Sequence, residues 1–286
     1  MIRLSLLLSA MVLPVPAVAQ MDHSQMDHSM HREVPETGHV TGSELPPPPP
    51  SDHAADRIYD PADMATARQM LAKEAGGMAA SMIIVERAEY QMRNGSDGYR
   101  WEAEGWFGGD IDRFAFKTEG EGNFGHAPEQ AELQALYSHA LDPWFNLQLG
   151  LRHDIRPDPS RTYAVLGIEG LAPYWFEVGG ALFLSDKGDL LARAQMHYDQ
   201  RITQKLILQP SAELNFAAQD VPENGVGSGL SNIELGLRLR YEIIPEFAPY
   251  IGLSYERKTG DSADYARTAG EHVSSTSFVA GVRFWF

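Results

Sequence analysis

The chain has 286 residues, of which 43% are hydrophobic and 22% are charged, and it contains no cysteine. Its formal net charge of −16, counted with histidine neutral, argues against a nucleic-acid-binding protein, because such proteins present a basic face. Without cysteine the chain can form no disulfide, no thiolate metal site and no thiol nucleophile. An acidic chain of this kind is instead suited to bind cations or to provide a route along which cations pass.

The first residues have the composition of an export signal. Arg3 precedes the apolar run Leu4–Leu13, and Ala17-Val18-Ala19 fits a small-residue cleavage site. The apolar run is too short to cross about 30 Å of hydrocarbon as a helix. We therefore predict that residues 1–19 are a signal peptide and that the protein is exported.

Residues 20–57 form a polar tail in which the tetrapeptide Met-Asp-His-Ser occurs twice and is followed by Met-His. The segment has few side chains to bury, and Pro46–Pro50 is a polyproline spacer, so we expect disorder when no ligand is bound. Thioether sulfur selects Cu(I), and imidazole binds copper in both oxidation states. The tail is therefore predicted to bind copper, as Cu(I), Cu(II) or both. The predicted ligands are Met21, His23, Met26, His28, Met30 and His31. The alternative is a polar linker without metal.

A short helix is predicted after the tail, within a helix-and-linker segment at residues 58–81. Asp60 can cap it, and Pro61 suits the first helical position. An alanine-rich stretch follows up to Ala75, and Gly76-Gly77 should end the helix.

From Met82 onward the hydrophobic pattern has a period of two, which is typical of strands. In residues 145–151, for example, Phe and Leu alternate with Asn, Gln and Gly. Twelve strands are predicted, at 82–92, 98–107, 110–121, 130–140, 143–153, 162–171, 174–184, 190–201, 206–218, 230–243, 247–257 and 276–286.

Three properties of these strands favour a membrane barrel. Their length of about ten residues matches the ~9–11 that a tilted transmembrane strand needs. Tight connections alternate with longer polar ones, as in outer-membrane barrels. The last strand ends in Phe284-Trp285-Phe286, an aromatic terminus that resembles theirs. We predict an all-β fold, a transmembrane up-and-down antiparallel β-barrel of about twelve strands over residues 82–286. The even strand number places both of its ends on the periplasmic side.

If the apolar residues face lipid, their polar alternates line the lumen. The lumen then receives many charged side chains, Glu89, Arg193 and Arg238 among them. These charges would either fill a narrow barrel with salt bridges or form a carboxylate-rich path for cations. Scattered residues of the barrel could add secondary metal ligands: Met92, His126, His139, His153, Met196 and His197.

The chain resembles the copper resistance protein B family. The resemblance rests on the Met/His repeat Met21–His31, on Asp60-Pro61-Ala62-Asp63-Met64 and on the carboxy-terminal barrel that ends at Phe286. The stretches SMIIVERAEY (81–90) and YRWEAEGWF (99–107) also resemble the first barrel strands of the family. It implies an outer-membrane protein of periplasmic copper tolerance. The partners that it implies are outer-membrane lipid, copper ions, a periplasmic multicopper oxidase and copper carriers.

We therefore expect a copper-binding outer-membrane protein whose periplasmic tail captures copper for sequestration or export. The alternative is a general porin with an incidental tail. An enzyme is not expected, because a hydrolase or acyltransferase needs a nucleophile beside a positioned base. The nearest such pair is Ser138 and His139, and neighbours on a strand point to opposite faces.

Overall fold

The computed structural model describes residues 53–75, 78–93 and 95–286, which form two helices and a closed β-barrel. The predicted signal peptide and the six predicted tail ligands lie outside these residues. Among the described helices, none is long and apolar enough to cross a membrane.

Helix α1 (Pro61–Ala75) begins where the sequence predicts. The Asp60 carboxylate accepts a hydrogen bond from the Ala62 backbone N–H at 2.8 Å, which is the expected cap. An ion pair of 2.6 Å between Arg68 and Asp56 ties the helix to the 3-10 turn Ala54–Arg57 before it.

The barrel is a single ring of antiparallel strands, closed by pairing of the first strand with the last. Two consecutive segments, β8 and the two-residue β9, both pair with β10 and act as one strand, so the ring has twelve positions. The strands are β1 (Ala80–Met92), β2 (Gly98–Gly108), β3 (Asp112–Asn123), β4 (Gln130–Ala140), β5 (Phe145–Arg156), β6 (Arg161–Ala172), β7 (Phe176–Ser185), β8 (Leu190–Tyr198), β9 (Gln200–Arg201), β10 (Leu206–Ala217), β11 (Gly229–Tyr241), β12 (Phe247–Lys258) and β13 (Ser274–Trp285).

All twelve predicted strands are confirmed, with boundaries that agree to within three residues. The connection at 258–275 is one of the longer polar connections between predicted strands, and no helix was predicted in it. It contains helix α2 (Gly260–Ala269), whose alanines Ala263 and Ala266 are buried. Gly270, at a φ of 77°, ends the helix in the left-handed conformation that glycine adopts without strain.

The two ends of the barrel differ. At the entry end, where β1 begins and β13 ends, short turns join the strands at 109–111, 141–144, 173–175, 202–205 and 242–246. The opposite end, called the loop end, carries the longer connections. There, the backbone N–H of Gly227 donates a hydrogen bond of 2.7 Å to Oγ of Ser262, which is on α2. Arg161 forms an ion pair with Glu223 at the same end. The loops of this end are therefore joined to one another.

Alternation along the strands separates two faces. The outward side chains are apolar and exposed, as with Leu149, Leu151, Leu166 and Ile168. Contact with lipid requires this arrangement. A closed ring leaves no backbone edge unpaired, and its outward side chains give it an apolar surface.

The inner face is mostly polar, as predicted, but it also has an apolar part, which the alternation did not predict. This inner apolar cluster consists of Ala115, Leu136, Tyr163, Val165 and Phe183. Its members share the parity of the polar residues and therefore point into the barrel. They fill one side of the lumen, so that the space left for water and ions is narrower than twelve strands alone would allow.

Candidate functional site: the charged lumen

Two rows of glutamates face the lumen on neighbouring strands. The first glutamate row is Glu102, Glu119 and Glu132 on β2, β3 and β4, where each residue is the direct partner of the next. The second glutamate row is Glu213, Glu234 and Glu256 on β10, β11 and β12, again in direct register. Like charges placed directly opposite on adjacent strands repel each other. Both rows therefore need cations close by.

Arg193, on β8, connects the two rows across the barrel. Its guanidinium lies 2.7 Å from a carboxylate oxygen of Glu119 and 3.0 Å from one of Glu132. On the other side its Nε lies 3.2 Å from Glu213. Planar guanidinium groups suit such multiple carboxylate contacts, because their five N–H donors are fixed in a fork.

Two further arginines complete this inner network. Arg100 lies 2.6 Å from Glu234 and 3.8 Å from Glu121. Arg152 lies 2.6 Å from both Glu132 and Asp154, and its guanidinium stands 4.7 Å from the centroid of the Phe183 ring. Stacking on an aromatic face stabilises a cation that is held away from water. The apolar cluster therefore supports the charged network.

Toward the entry end the lumen opens into a cavity of about 450 Å³, called the vestibule. Residues at the entry end, Trp144, Glu177 and His197 among them, line its outer part, while Glu213 and Glu234 line its inner part. Seven glutamates border the vestibule, against the cations Arg87, Lys117 and Arg238. A water-filled space with this lining attracts cations. The seven are Glu86, Glu102, Glu104, Glu169, Glu177, Glu213 and Glu234.

On the loop-end side of Arg193 the cavity is much smaller. It measures about 50 Å³ and is lined by Arg100, Arg152 and two Arg193 partners, Glu119 and Glu132. Arg193 itself lines a third cavity of about 90 Å³, together with Glu119, Glu132 and the vestibule residues Glu102 and Lys117. The Arg193 side chain therefore lies at the inner end of the vestibule side, beside the carboxylates that border the small cavity.

The predicted site residues have different outcomes. The six tail ligands lie outside the described residues, so whether they come together stays a prediction. Of the scattered candidates, His197 lines the vestibule, with its Nε2 3.0 Å from Glu177. His139 contacts Asp112 and His153 contacts Thr162, both on exposed positions. Within residues 53–75, 78–93 and 95–286, no group of three or more His, Asp or Glu side chains has the geometry to hold a metal ion.

The glutamate rows could have been found from the strand pattern. Five of the six members lay at predicted inward positions and Glu256 did not, and register across strands is needed to see that three glutamates become direct neighbours. The contacts of Arg193 join strands that are far apart in the sequence, so no local signal predicts them.

A closed barrel with an apolar outer surface and a charged lumen defines the class of outer-membrane β-barrel proteins.

Comparison with known proteins gives the family. Residues 79–286 match the family described as "Copper resistance protein B precursor (CopB)". The Copper resistance protein B homolog of Pseudomonas syringae pv. tomato is 43% identical over 206 residues, which are 72% of this chain and 70% of the relative. Copper resistance protein B of Escherichia coli is 44% identical over 205 residues, 72% of this chain and 69% of the relative. A crystal structure of the NanC porin is a distant likeness, with a TM-score of 0.48, 15% identity, and coverage of 71% of this chain and 98% of that one.

The chain belongs to the copper resistance protein B family, and it is a copper-resistance protein of the outer membrane.

Proposed function

We propose that this protein captures copper on its Met/His tail, on the periplasmic side of the outer membrane, and sequesters it or passes it on for export. Copper is here the cargo. The observation that carries the proposal is the paired thioether and imidazole repeat at Met21–His31, a donor set suited to both oxidation states of copper. Membership in a copper resistance family supports the choice of metal.

Connectivity supports a role for the barrel beside the tail. The chain enters β1 at the entry end, and the vestibule opens at that same end. The side of the barrel on which the chain enters β1 therefore presents a glutamate-rich space with three basic side chains in its lining, Arg87, Lys117 and Arg238. We propose that the vestibule raises the local concentration of copper near the tail.

The role that we propose is binding rather than catalysis. Ser138 and His139 do not form a nucleophile and base pair, because Ser138 is buried on the inner face whereas His139 is exposed beside Asp112. The proposed partners are outer-membrane lipid, copper ions, and periplasmic copper carriers together with a multicopper oxidase.

A copper titration of the full mature chain, folded in detergent, tests the tail. In the test variant the tail ligands Met21, Met26 and Met30 become leucine, and His23, His28 and His31 become asparagine. We expect the strongest copper binding to weaken at least tenfold, and X-ray absorption to lose its sulfur contribution. In the matched control Met64, Met70 and Met78 become leucine, and binding should stay unchanged. Unchanged stoichiometry and affinity in the test variant would reject the tail as the binding site.

The alternative function, a general porin, is favoured by the closed ring of twelve strands but opposed by the side chains that cross it. Ion pairs from Arg193 and Arg100 span the lumen. Planar-bilayer recordings separate the two functions. Large, unselective currents that are indifferent to copper would support the porin.

A further inference from the structure

The lumen is divided at the level of Arg193. On the entry-end side lies the vestibule of about 450 Å³, and on the loop-end side lies a cavity of about 50 Å³. Glu213 borders the first space, and Glu119 and Glu132 border the second. Glu119 and Glu132 also border a cavity of about 90 Å³ on the vestibule side, and Arg193 itself lines that cavity. Arg193 lies within 3.2 Å of all three carboxylates, so its ion pairs stand at the boundary between the vestibule side and the small cavity.

We propose that Arg193 closes the lumen, so that the barrel at rest is a vestibule open at the entry end rather than a continuous pore. The proposal concerns passage of ions and does not depend on where copper binds.

The contacts of Arg193 explain how its side chain can block the lumen, which the ion pair of Arg100 with Glu234 also spans. Its partners Glu119 and Glu132 are on β3 and β4, while Arg193 itself and Glu213 are on the neighbouring strands β8 and β10. The guanidinium thus joins two distant parts of the ring. Phe183, whose centroid is 5.7 Å from the guanidinium carbon, and the rest of the inner apolar cluster narrow the remaining space.

The same contacts also define the open state. When Arg193 leaves its position, the two glutamate rows face each other without their shared cation. Rings of carboxylates select cations in membrane pores. A barrel opened in this way therefore conducts cations in preference to anions. In the closed state the guanidinium of Arg193 occupies the carboxylates that a passing cation would contact. A mobile cation can pass only when it takes the place of the guanidinium.

Single-channel recordings in planar bilayers, in buffer without copper, test the closure. The wild-type barrel should show no sustained conductance. Arg193→Gln should raise the conductance at least tenfold, with a reversal potential that indicates cation selectivity. The matched control is Arg283→Gln, since Arg283 contacts Glu86 at 2.8 Å on the adjacent strand and does not cross the lumen. The control should remain closed. Heat-dependent gel mobility verifies that each variant is folded.

Two results would overturn the proposal. One is a wild-type conductance as large as that of Arg193→Gln. The other is a folded Arg193→Gln barrel that stays closed. Neither result bears on copper binding by the tail, since no copper is present.

A second measurement covers the case in which Arg193→Gln fails to fold. The chain contains no cysteine, so Ser254→Cys places a single thiol in the wall of the vestibule. In vesicles, a membrane-impermeant thiosulfonate reagent added outside should label this thiol only when the entry end faces outward. Cleavage by external trypsin after the exposed Arg267 of α2 reports the opposite orientation. Labelling from the loop end of the otherwise native barrel would contradict closure by Arg193.

Discussion

The vestibule and the region around Arg193 are built from the same strands but hold their charges differently. At the entry end the side chains of Glu177 and His197 are 58% and 36% exposed, so water shares in stabilising the pair. Around Arg193 the side chains of Arg152 and Asp154 are only 12% and 8% exposed. There, each charge depends on protein partners. The same alternation of polar and apolar residues along the strands can therefore produce both a hydrated space and a barrier.

The largest expected effect is the loss of a buried partner near the barrier. Arg152→Met should lower the free energy of unfolding by about 3–5 kcal/mol, because it leaves Glu132 and Asp154 buried with less compensation. Equilibrium unfolding by urea in detergent measures this change. The control is Arg201→Gln at the entry end, where a side chain 56% exposed pairs with Glu242 and should contribute less than about 1 kcal/mol. Equal effects of the two substitutions would contradict the comparison.

An intermediate effect is expected in the loops beyond the barrier. A Cβ at Gly227 would lie 2.5 Å from the Ser262 backbone nitrogen, so Gly227→Ala should push α2 away at a cost of about 1–3 kcal/mol. Trypsin cleavage after Arg267 should then become faster, while the barrel itself stays folded. Gly109→Ala is the control, because a Cβ there meets no atom within 4 Å. A cleavage rate equal to that of the unchanged protein would show that α2 is not held by this contact.

The smallest effect is expected in the vestibule. Glu177→Gln should change the free energy of unfolding by less than about 1 kcal/mol, since a half-exposed ion pair is screened by water. The same urea measurement checks this value. Glu132→Gln is the matched comparison. It should lower the free energy of unfolding more than Glu177→Gln does, because the Glu132 carboxylate pairs with Arg193 and Arg152. A loss of several kcal/mol at Glu177 would mean that the vestibule is not hydrated.

The sequence predicts the barrel well because the period of two is local and strong. Strand β5 shows this, with leucines outward and Gln148 and Arg152 inward. The cap of α1 at Asp60 was equally readable. Helix α2 was missed, although Ala263 and Ala266 lie at helical spacing and Gly270 follows as a stop. In a polar loop these few residues are a weak signal.

The interior was only partly predictable. Parity assigned the charged residues to the lumen. Val165 and Phe183 have the same parity as Glu169 and Glu177 on their strands, but the rule that apolar side chains face lipid did not place them inside. Distances such as that of Arg193 to Glu119 depend on how strands far apart in the sequence approach one another. The copper ligands of the tail stay a prediction that rests on ligand chemistry.

Pairing between β1 and β13 has a consequence for how the protein is made. The ring is complete only when the strand synthesised last finds the strand synthesised first, as in the match of Tyr90 with Ala280. Before that moment both strands present unpaired N–H and C=O groups, which hydrocarbon does not tolerate. Closure and insertion into lipid are therefore coupled. An unfinished sheet offers its two free edges to other chains, so a damaged final strand would leave the protein prone to aggregation.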